Sequence, residues 1–154
     1  LITHENKPID LVAVVEKLLE YYRLLADERG IDLKVTGRGS VRGDVLMLDR
    51  AISNLLSNAL RYTPEGKCIT VDIRQKGTSI SVSVENPGEP IASEHLEKLF
   101  DRFYRVDKAR TRQKGGFGLG LSLAQQIVLA LKGTIVVKDN QPKGTIFEVK
   151  ITGV

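Results

Sequence analysis

Apolar residues recur at helical spacing from Leu11 to Ala26, where Leu11, Val14, Val15, Leu18, Leu19, Tyr22, Leu25 and Ala26 share one stripe. The stripe predicts a helix that starts at Pro8-Ile9-Asp10, with Asp10 as N-cap, and stops at Gly30. The period then drops to two. Ile31, Leu33 and Val35 alternate with Asp32, Lys34 and Thr36, as in a strand with one buried face. Gly37, Gly39 and Gly43 bracket a short extended piece around Val41. Asp44 caps a second helix that reaches to about Tyr62 and is stopped by Thr63-Pro64-Glu65-Gly66. Around that helix, Leu48, Ile52, Leu55, Leu56 and Ala59 gather on one face, and Asn54, Asn58 and Arg61 on the opposite one.

Alternation returns in Ile69, Val71 and Ile73 and, after a turn at Lys76-Gly77-Thr78, in Ile80, Val82 and Val84, which predicts a hairpin. Asn86-Pro87-Gly88-Glu89-Pro90 reads as an irregular loop. Ser93 caps a short helix with Leu96, Leu99, Phe100 and Phe103 on its apolar side. Arg105 to Gly116 is polar and basic. A third long helix follows, with Leu119, Leu123, Ile127 and Leu131 spaced by four, and ends at Lys132-Gly133. A last hairpin runs from Thr134 to Lys138, turns through Asn140 to Gly144 and returns from Thr145 to Ile151. Three main helices and about five to seven strands, mostly joined as hairpins, define an α+β fold: a two-layer sandwich with helices on one face of a mixed, largely antiparallel sheet.

Composition narrows the functional classes. At 154 residues the chain has the size of one domain, and 42% hydrophobic with 27% charged residues makes it globular rather than disordered. Aromatics are 5% and Trp is absent, so the core must be aliphatic. A net charge of +4 suits an anionic ligand but is too small to signal nucleic acid. The single Cys68 excludes an internal disulfide and fits a reducing compartment. No apolar run approaches the ~18 residues of a membrane-spanning helix. The chain opens on Leu1 and a polar stretch, Thr3-His4-Glu5-Asn6-Lys7-Pro8, with no signal peptide. It reads as part of a longer protein, with residues 1–8 as a tail and 9–154 as the domain.

The densest chemical signal is Gly115-Gly116-Phe117-Gly118-Leu119-Gly120-Leu121-Ser122 at the mouth of the third helix. Glycines let the backbone approach an anion closely, and unpaired N–H groups with the helix dipole favour negative charge there. A hinge before an ordinary core helix is the alternative reading. The spacing misses both G-x-G-x-x-G and the Walker loop, so a phosphate site here is of a third kind. Asn54 and Asn58, one turn apart, admit two readings as well. They are a solvated face, or neutral oxygens that complete a Mg²⁺ shell made mostly of phosphates and water, with Arg61 beside a phosphate. Arg105, Lys108, Arg110, Arg112 and Lys114 form either a solvated loop or a lid over phosphates.

Four motifs in order resolve these choices by resemblance. Arg50-Ala51-Ile52-Ser53-Asn54-Leu55-Leu56-Ser57-Asn58-Ala59-Leu60-Arg61-Tyr62-Thr63-Pro64 resembles the N box of sensor histidine kinases, and Leu99-Phe100-Asp101-Arg102-Phe103-Tyr104-Arg105 their F box. Gly116 to Leu121 resembles their second glycine box, and Gly144-Thr145-Ile146-Phe147 the closing G-T-x-F. The set spans nearly the whole chain and is similar to the catalytic ATP-binding domain of two-component histidine kinases, within the GHKL superfamily.

The resemblance implies ATP and Mg²⁺ as cofactors, with Asn58 as Mg²⁺ ligand and Asn54 supporting it. It implies Arg61 on phosphate, Tyr62 on the adenine side, and Arg105 near the γ-phosphate. Gly116, Gly118 and Gly120 would hinge the lid and offer N–H groups. Ile91 and Thr145 would line the adenine pocket, with Asn86, Gly88, Phe103, Phe117, Leu119 and Leu121 completing the nucleotide-binding set. One departure stands out. The family usually has Asp-x-Gly-x-Gly where this chain has Asn86-Pro87-Gly88-Glu89-Pro90, so adenine N6 would meet a neutral amide instead of a charged acceptor. That variant resembles the branch of kinases that sense copper, silver or zinc.

Related ATPases carry a Glu one turn before the Mg²⁺ Asn to activate water, whereas Asn54 cannot take a proton. Phosphoryl transfer to a protein His is therefore expected over hydrolysis. His4 and His95 read as surface residues, so the acceptor is expected on an upstream dimerising helical hairpin, with a response-regulator Asp as the next recipient. This chain alone is expected to bind Mg-ATP but to phosphorylate itself poorly or not at all, and to be the cytoplasmic domain of a bacterial inner-membrane protein with no nucleic-acid partner. A docking module without catalysis and an anti-sigma Ser/Thr kinase are the weaker alternatives.

Overall fold

The computed structural model describes residues 8–88, 100, 120–139 and 144–152. Strand Pro8–Asp10 (β1) leads into helix Leu11–Glu28 (α1). Asp10 caps α1 as expected, accepting from the Val12 amide at 3.0 Å. The helix itself starts at Leu11, directly after that cap; the strand ahead of it is what the sequence pattern does not signal. Pro8 and Ile9 are extended and pair antiparallel with Ser40–Arg42 (β3), Ile9 opposite Val41. Pro8 holds the first strand position, where its missing N–H is tolerated.

Strands Asp32–Gly37 (β2), Cys68–Lys76 (β4), Ser79–Asn86 (β5), Thr134–Asp139 (β6) and Thr145–Thr152 (β7) build a five-stranded sheet in the order β2-β4-β5-β7-β6. Only β2 and β4 run parallel, joined by a crossover that contains helix Val45–Tyr62 (α2). Helix Gly120–Ala130 (α3) packs beside α2, and α1 flanks α2 and β2. The two-layer α+β expectation thus holds among the described residues.

The register shows why the layers close. Val71, Val84, Phe147 and Val137 form one row across four strands; Ile73, Val82, Val149 and Ile135 form the next. Against them α2 presses Leu48, Ile52, Leu55, Leu56 and Ala59, all buried. Each of these leucines and the isoleucine contributes about 1.5–3 kcal/mol on removal from water. Two expected core positions lie outside this layer. Leu25 is 54% exposed, because the buried stripe of α1 narrows at its C-terminus to the small Ala26. Leu123 is 44% exposed. A strict spacing of four drifts around a helix of 3.6 residues per turn, and the inward line is Leu121, Ala124, Val128 and Leu131, with the expected Ile127 partly buried beside it.

The other face of the sheet is polar. Thr36 donates to Asp72 at 2.8 Å, and Glu148 takes Lys138 at 2.9 Å and Lys150 at 3.6 Å. Burial pushes the Glu148 carboxyl up, but the hydrogen bonds and charges of the two lysines outweigh it and hold it below its ordinary value. A carboxyl so depressed stabilises the fold above pH 4.5 and loses that contribution as pH falls through the folded value. Glu148→Gln should therefore lower thermal stability at neutral pH by at most about 1 kcal/mol. The gap between the two chains should close as melting is followed down to about pH 3; a constant gap would exclude this ion triplet as its source.

Candidate functional site

The helix-facing rows of β5 and β7 change character at one end of the sheet. Along β5 the row reads Ile80, Val82, Val84, Asn86; along β7, from the far end, Ile151, Val149, Phe147, Thr145. Asn86 and Thr145 are register partners, 6% and 4% exposed, so two apolar rows end in a buried polar pair. The sequence reading placed Asn86 in an irregular loop; it is instead the last ladder residue of β5, and the irregular chain starts at Pro87, which has no N–H to give the ladder.

Two glycines bring this rim close to the end of α2. Gly144, at φ +131°, lies so near β5 that a Cβ there would stand 2.2 Å from the Asn86 carbonyl oxygen and 2.8 Å from Pro87 Cα. Gly88, at φ +134°, packs against Pro64, with an added Cβ 3.1 Å from its Cδ and 3.7 Å from the Tyr62 carbonyl oxygen. Asn86, Gly88, Thr145 and the Tyr62–Pro64 corner therefore share one edge of the molecule.

α2 carries the remaining described polar candidates. Its N-cap Asp44 accepts from the Leu46 and Met47 amides at 2.9 and 3.4 Å, which fixes where the helix begins. Asn54, Asn58 and Arg61 are half-buried along one strip, flanked by the buried Ala51, Leu55 and Leu60. The Asn54 Nδ2 atom is fully buried and has no hydrogen-bond partner among the described residues. An orphaned buried amide is a costly feature that calls for a polar occupant beside it. The two side-chain amides offer neutral oxygens of the kind a hard divalent cation accepts. Residues and ligand chemistry are thus compatible with a Mg²⁺-phosphate group along this strip.

At the mouth of α3, Gly120 is the first helical residue, so the glycine run does open a helix. Leu121 packs on the core rather than standing apart from it, and Ser122 behind it is 5% exposed. From the F box, Phe100 is half-buried and edge-on to Phe147, ring centres 6.3 Å apart. Ile91, Phe103, Arg105, Gly116, Phe117, Gly118 and Leu119 lie outside the described residues.

Arg29 was missed by sequence reading. It follows α1 and donates to the carbonyls of Leu60 and Thr63 at the far end of α2, the latter at 2.6 Å. A basic residue after a helix usually signals a cap of that same helix, so its service to another helix has no local signature.

Comparison with known proteins agrees with this fold. The family described as histidine kinase-, DNA gyrase B-, and HSP90-like ATPase matches residues 43–153. The sensor histidine kinase CusS of Escherichia coli O157:H7 is 49% identical over 146 residues, which cover 94% of this chain and 30% of that protein. The sensor protein CiaH of Streptococcus pneumoniae serotype 4 is 51% identical over 132 residues, 84% of this chain and 30% of that protein. The chain therefore spans under a third of the curated relatives it matches. A mycobacterial sensor histidine kinase, MprB, has a solved structure that superposes with TM-score 0.83 at 29% identity, covering 96% of this chain and 97% of that one.

Proposed function

This chain belongs to the histidine kinase-, DNA gyrase B- and HSP90-like ATPase family and is an ATP-binding catalytic domain of the sensor-kinase kind; from that premise we propose that it holds Mg-ATP at the α2–β5–β7 rim for phosphoryl transfer to a histidine. The observation that carries the reading is that the buried Asn86–Thr145 pair and the Tyr62–Pro64 corner share one edge, at the end of an α2 strip whose buried Asn54 amide nitrogen has no described partner. Asn58 is the Mg²⁺ ligand, with Asn54 beside it. Arg61 contacts phosphate, and Tyr62, Asn86, Gly88 and Thr145 line the adenine end. Ile91, Phe103, Arg105 and the Gly116–Leu121 loop complete the site as the motif resemblance assigns them. Mg²⁺ held there would supply charge neutralisation at the phosphates. The chain's own contribution is to orient nucleotide and metal and, with an amide at Asn54 in place of a carboxylate, to avoid activating water.

In the longer protein the acceptor is a histidine on a dimerising helical hairpin, and a response regulator receives the phosphoryl group from it. No described helix is long and apolar enough to cross a membrane; the domain works on the cytoplasmic side of a bacterial inner-membrane sensor. The Asn86-Pro87-Gly88 variant supports a heavy-metal stimulus for that sensor. The reading is tested by titrating ATP into this chain with and without Mg²⁺, then supplying the upstream hairpin and assaying acid-labile phosphohistidine. Failure to bind Mg-ATP at millimolar concentration removes it.

Asn86 makes a second test. Asn86→Asp places a charged acceptor at the adenine edge, where a charge-assisted hydrogen bond is about twice as strong as a neutral one. Affinity for ATP over GTP should rise about three- to tenfold. Without nucleotide the variant should melt lower, because a carboxylate at 6% exposure is desolvated. Unchanged selectivity would remove Asn86 from the base-reading role.

A further inference from the structure

α1 and α2 are joined by two polar ties. The Tyr22 hydroxyl lies 2.6 Å from Ser53 Oγ and 3.4 Å from the Ser53 carbonyl oxygen. Arg29 binds the Leu60 and Thr63 carbonyls. Tyr22 to Arg29 and Ser53 to Leu60 are equal intervals of two helical turns, so the ties fix the side-by-side setting of the helices at two levels.

The lower tie answers a specific deficit. In a continuing helix the Leu60 carbonyl would accept from the amide of residue 64, but that residue is Pro64 and has no N–H. The Arg29 guanidinium supplies the missing donor, and its charge suits the negative end of the α2 dipole. The arginine backbone holds the same corner from the other side: its carbonyl accepts from the Gly66 amide at 3.3 Å. The buried Thr63 hydroxyl closes the last turn on the Ala59 carbonyl at 2.7 Å. Arg61 and Tyr62 sit between the two carbonyls that Arg29 grips, and Pro64 beyond them carries Gly88.

We propose that Arg29 is a positioning residue for the nucleotide site, setting the end of α2 and, through it, Arg61, without touching the nucleotide itself. This rests on the nucleotide reading above. Because Arg29 acts through Arg61, its effect on binding depends on Arg61 being present.

The test is calorimetric titration of Mg-ATP into the unsubstituted chain, Arg29→Ala, Arg29→Lys, Arg61→Ala and the double Arg29→Ala/Arg61→Ala variant. Ile80→Val, at the other end of β5, serves as a control for general destabilisation. Arg29→Ala should weaken Mg-ATP about tenfold at a temperature where circular dichroism shows it folded, while in the Arg61→Ala background it costs less than about threefold. Ile80→Val should leave affinity unchanged. Arg29→Lys keeps the charge but reaches one carbonyl in place of two, so it should recover part of the loss. If Arg29→Ala does not stay folded, the lysine variant is compared in the two Arg61 backgrounds in the same way. Equal losses in both backgrounds, or unchanged affinity in Arg29→Ala, overturn the proposal while leaving the nucleotide reading intact. Absence of Mg-ATP binding by the unsubstituted chain overturns that reading and this proposal together.

Discussion

Asn58→Ala is expected to abolish Mg²⁺-dependent ATP binding and to leave the fold standing. Asn58 is half-buried on the polar strip of α2, opposite the residues that fill the core, so its removal opens no cavity. Alanine is also the better helix former, by up to about 0.7 kcal/mol. Melting in the absence of nucleotide should therefore be unchanged or slightly raised. Binding is a different matter. Mg²⁺ keeps few protein ligands and tolerates their loss poorly, and even outer partners of a metal ligand are worth about 10–100-fold in metal affinity. The Mg²⁺-dependent gain in ATP affinity should thus fall by more than about 100-fold, as read by titrations with and without the cation. If the variant still gains from Mg²⁺ as the unsubstituted chain does, the cation is held elsewhere and α2 loses its central role.

Gly144→Ala should be the most damaging single methyl group near the site. Two costs coincide there. The backbone at φ +131° belongs to a region that side-chain-bearing residues avoid, worth about 1–3 kcal/mol. The added carbon would also stand 2.2 Å from the Asn86 carbonyl oxygen and 2.8 Å from Pro87 Cα, both backbone atoms that no rotamer change can move. We expect about 3 kcal/mol or more, seen as a fall in melting temperature of about 10 °C for a chain of this size. Nucleotide affinity should fall with it, because Asn86 must yield. Gly77→Ala gives the contrast. Its φ is +62°, but an added Cβ meets nothing within 4 Å, so only the backbone term of about 1 kcal/mol applies. If the two variants melt alike, the close approach of Gly144 to β5 is not what holds this rim.

The fold was legible where one periodicity governed a segment. β4 and β5 alternate cleanly because one face is buried and the other polar, and both strands and their turn fall where the alternation puts them. The caps Asp10 and Asp44 were legible because a short carboxylate before an apolar helix has little other use. The pairing of β1 with β3 was not, since three residues carry no measurable period and Pro8 reads equally as a helix entrance. Of the site, the α2 amides and the Asn86–Thr145 edge came from motif order, and residue type alone left them ambiguous. Arg29 stayed hidden for a physical reason: the deficit it answers, at Pro64, lies 35 positions away in sequence and becomes a neighbour only after α2 has packed on α1.

The strand order has a consequence in folding time. β5 finds β4 across a two-residue turn, a closure of microseconds, whereas Asn86 meets Thr145 only when a stretch of about sixty residues has been looped back. During synthesis the outer edge of β5 therefore emerges long before the strand that will cover it. The serines that occupy its other face, Ser79, Ser81 and Ser83, keep that waiting hairpin polar on one side, which lowers its tendency to recruit a foreign strand. The proposed adenine end of the site would then be completed only as the last strand docks. A chain released before Thr145 lacks the register partner of Asn86, so on the proposed reading it should not capture nucleotide.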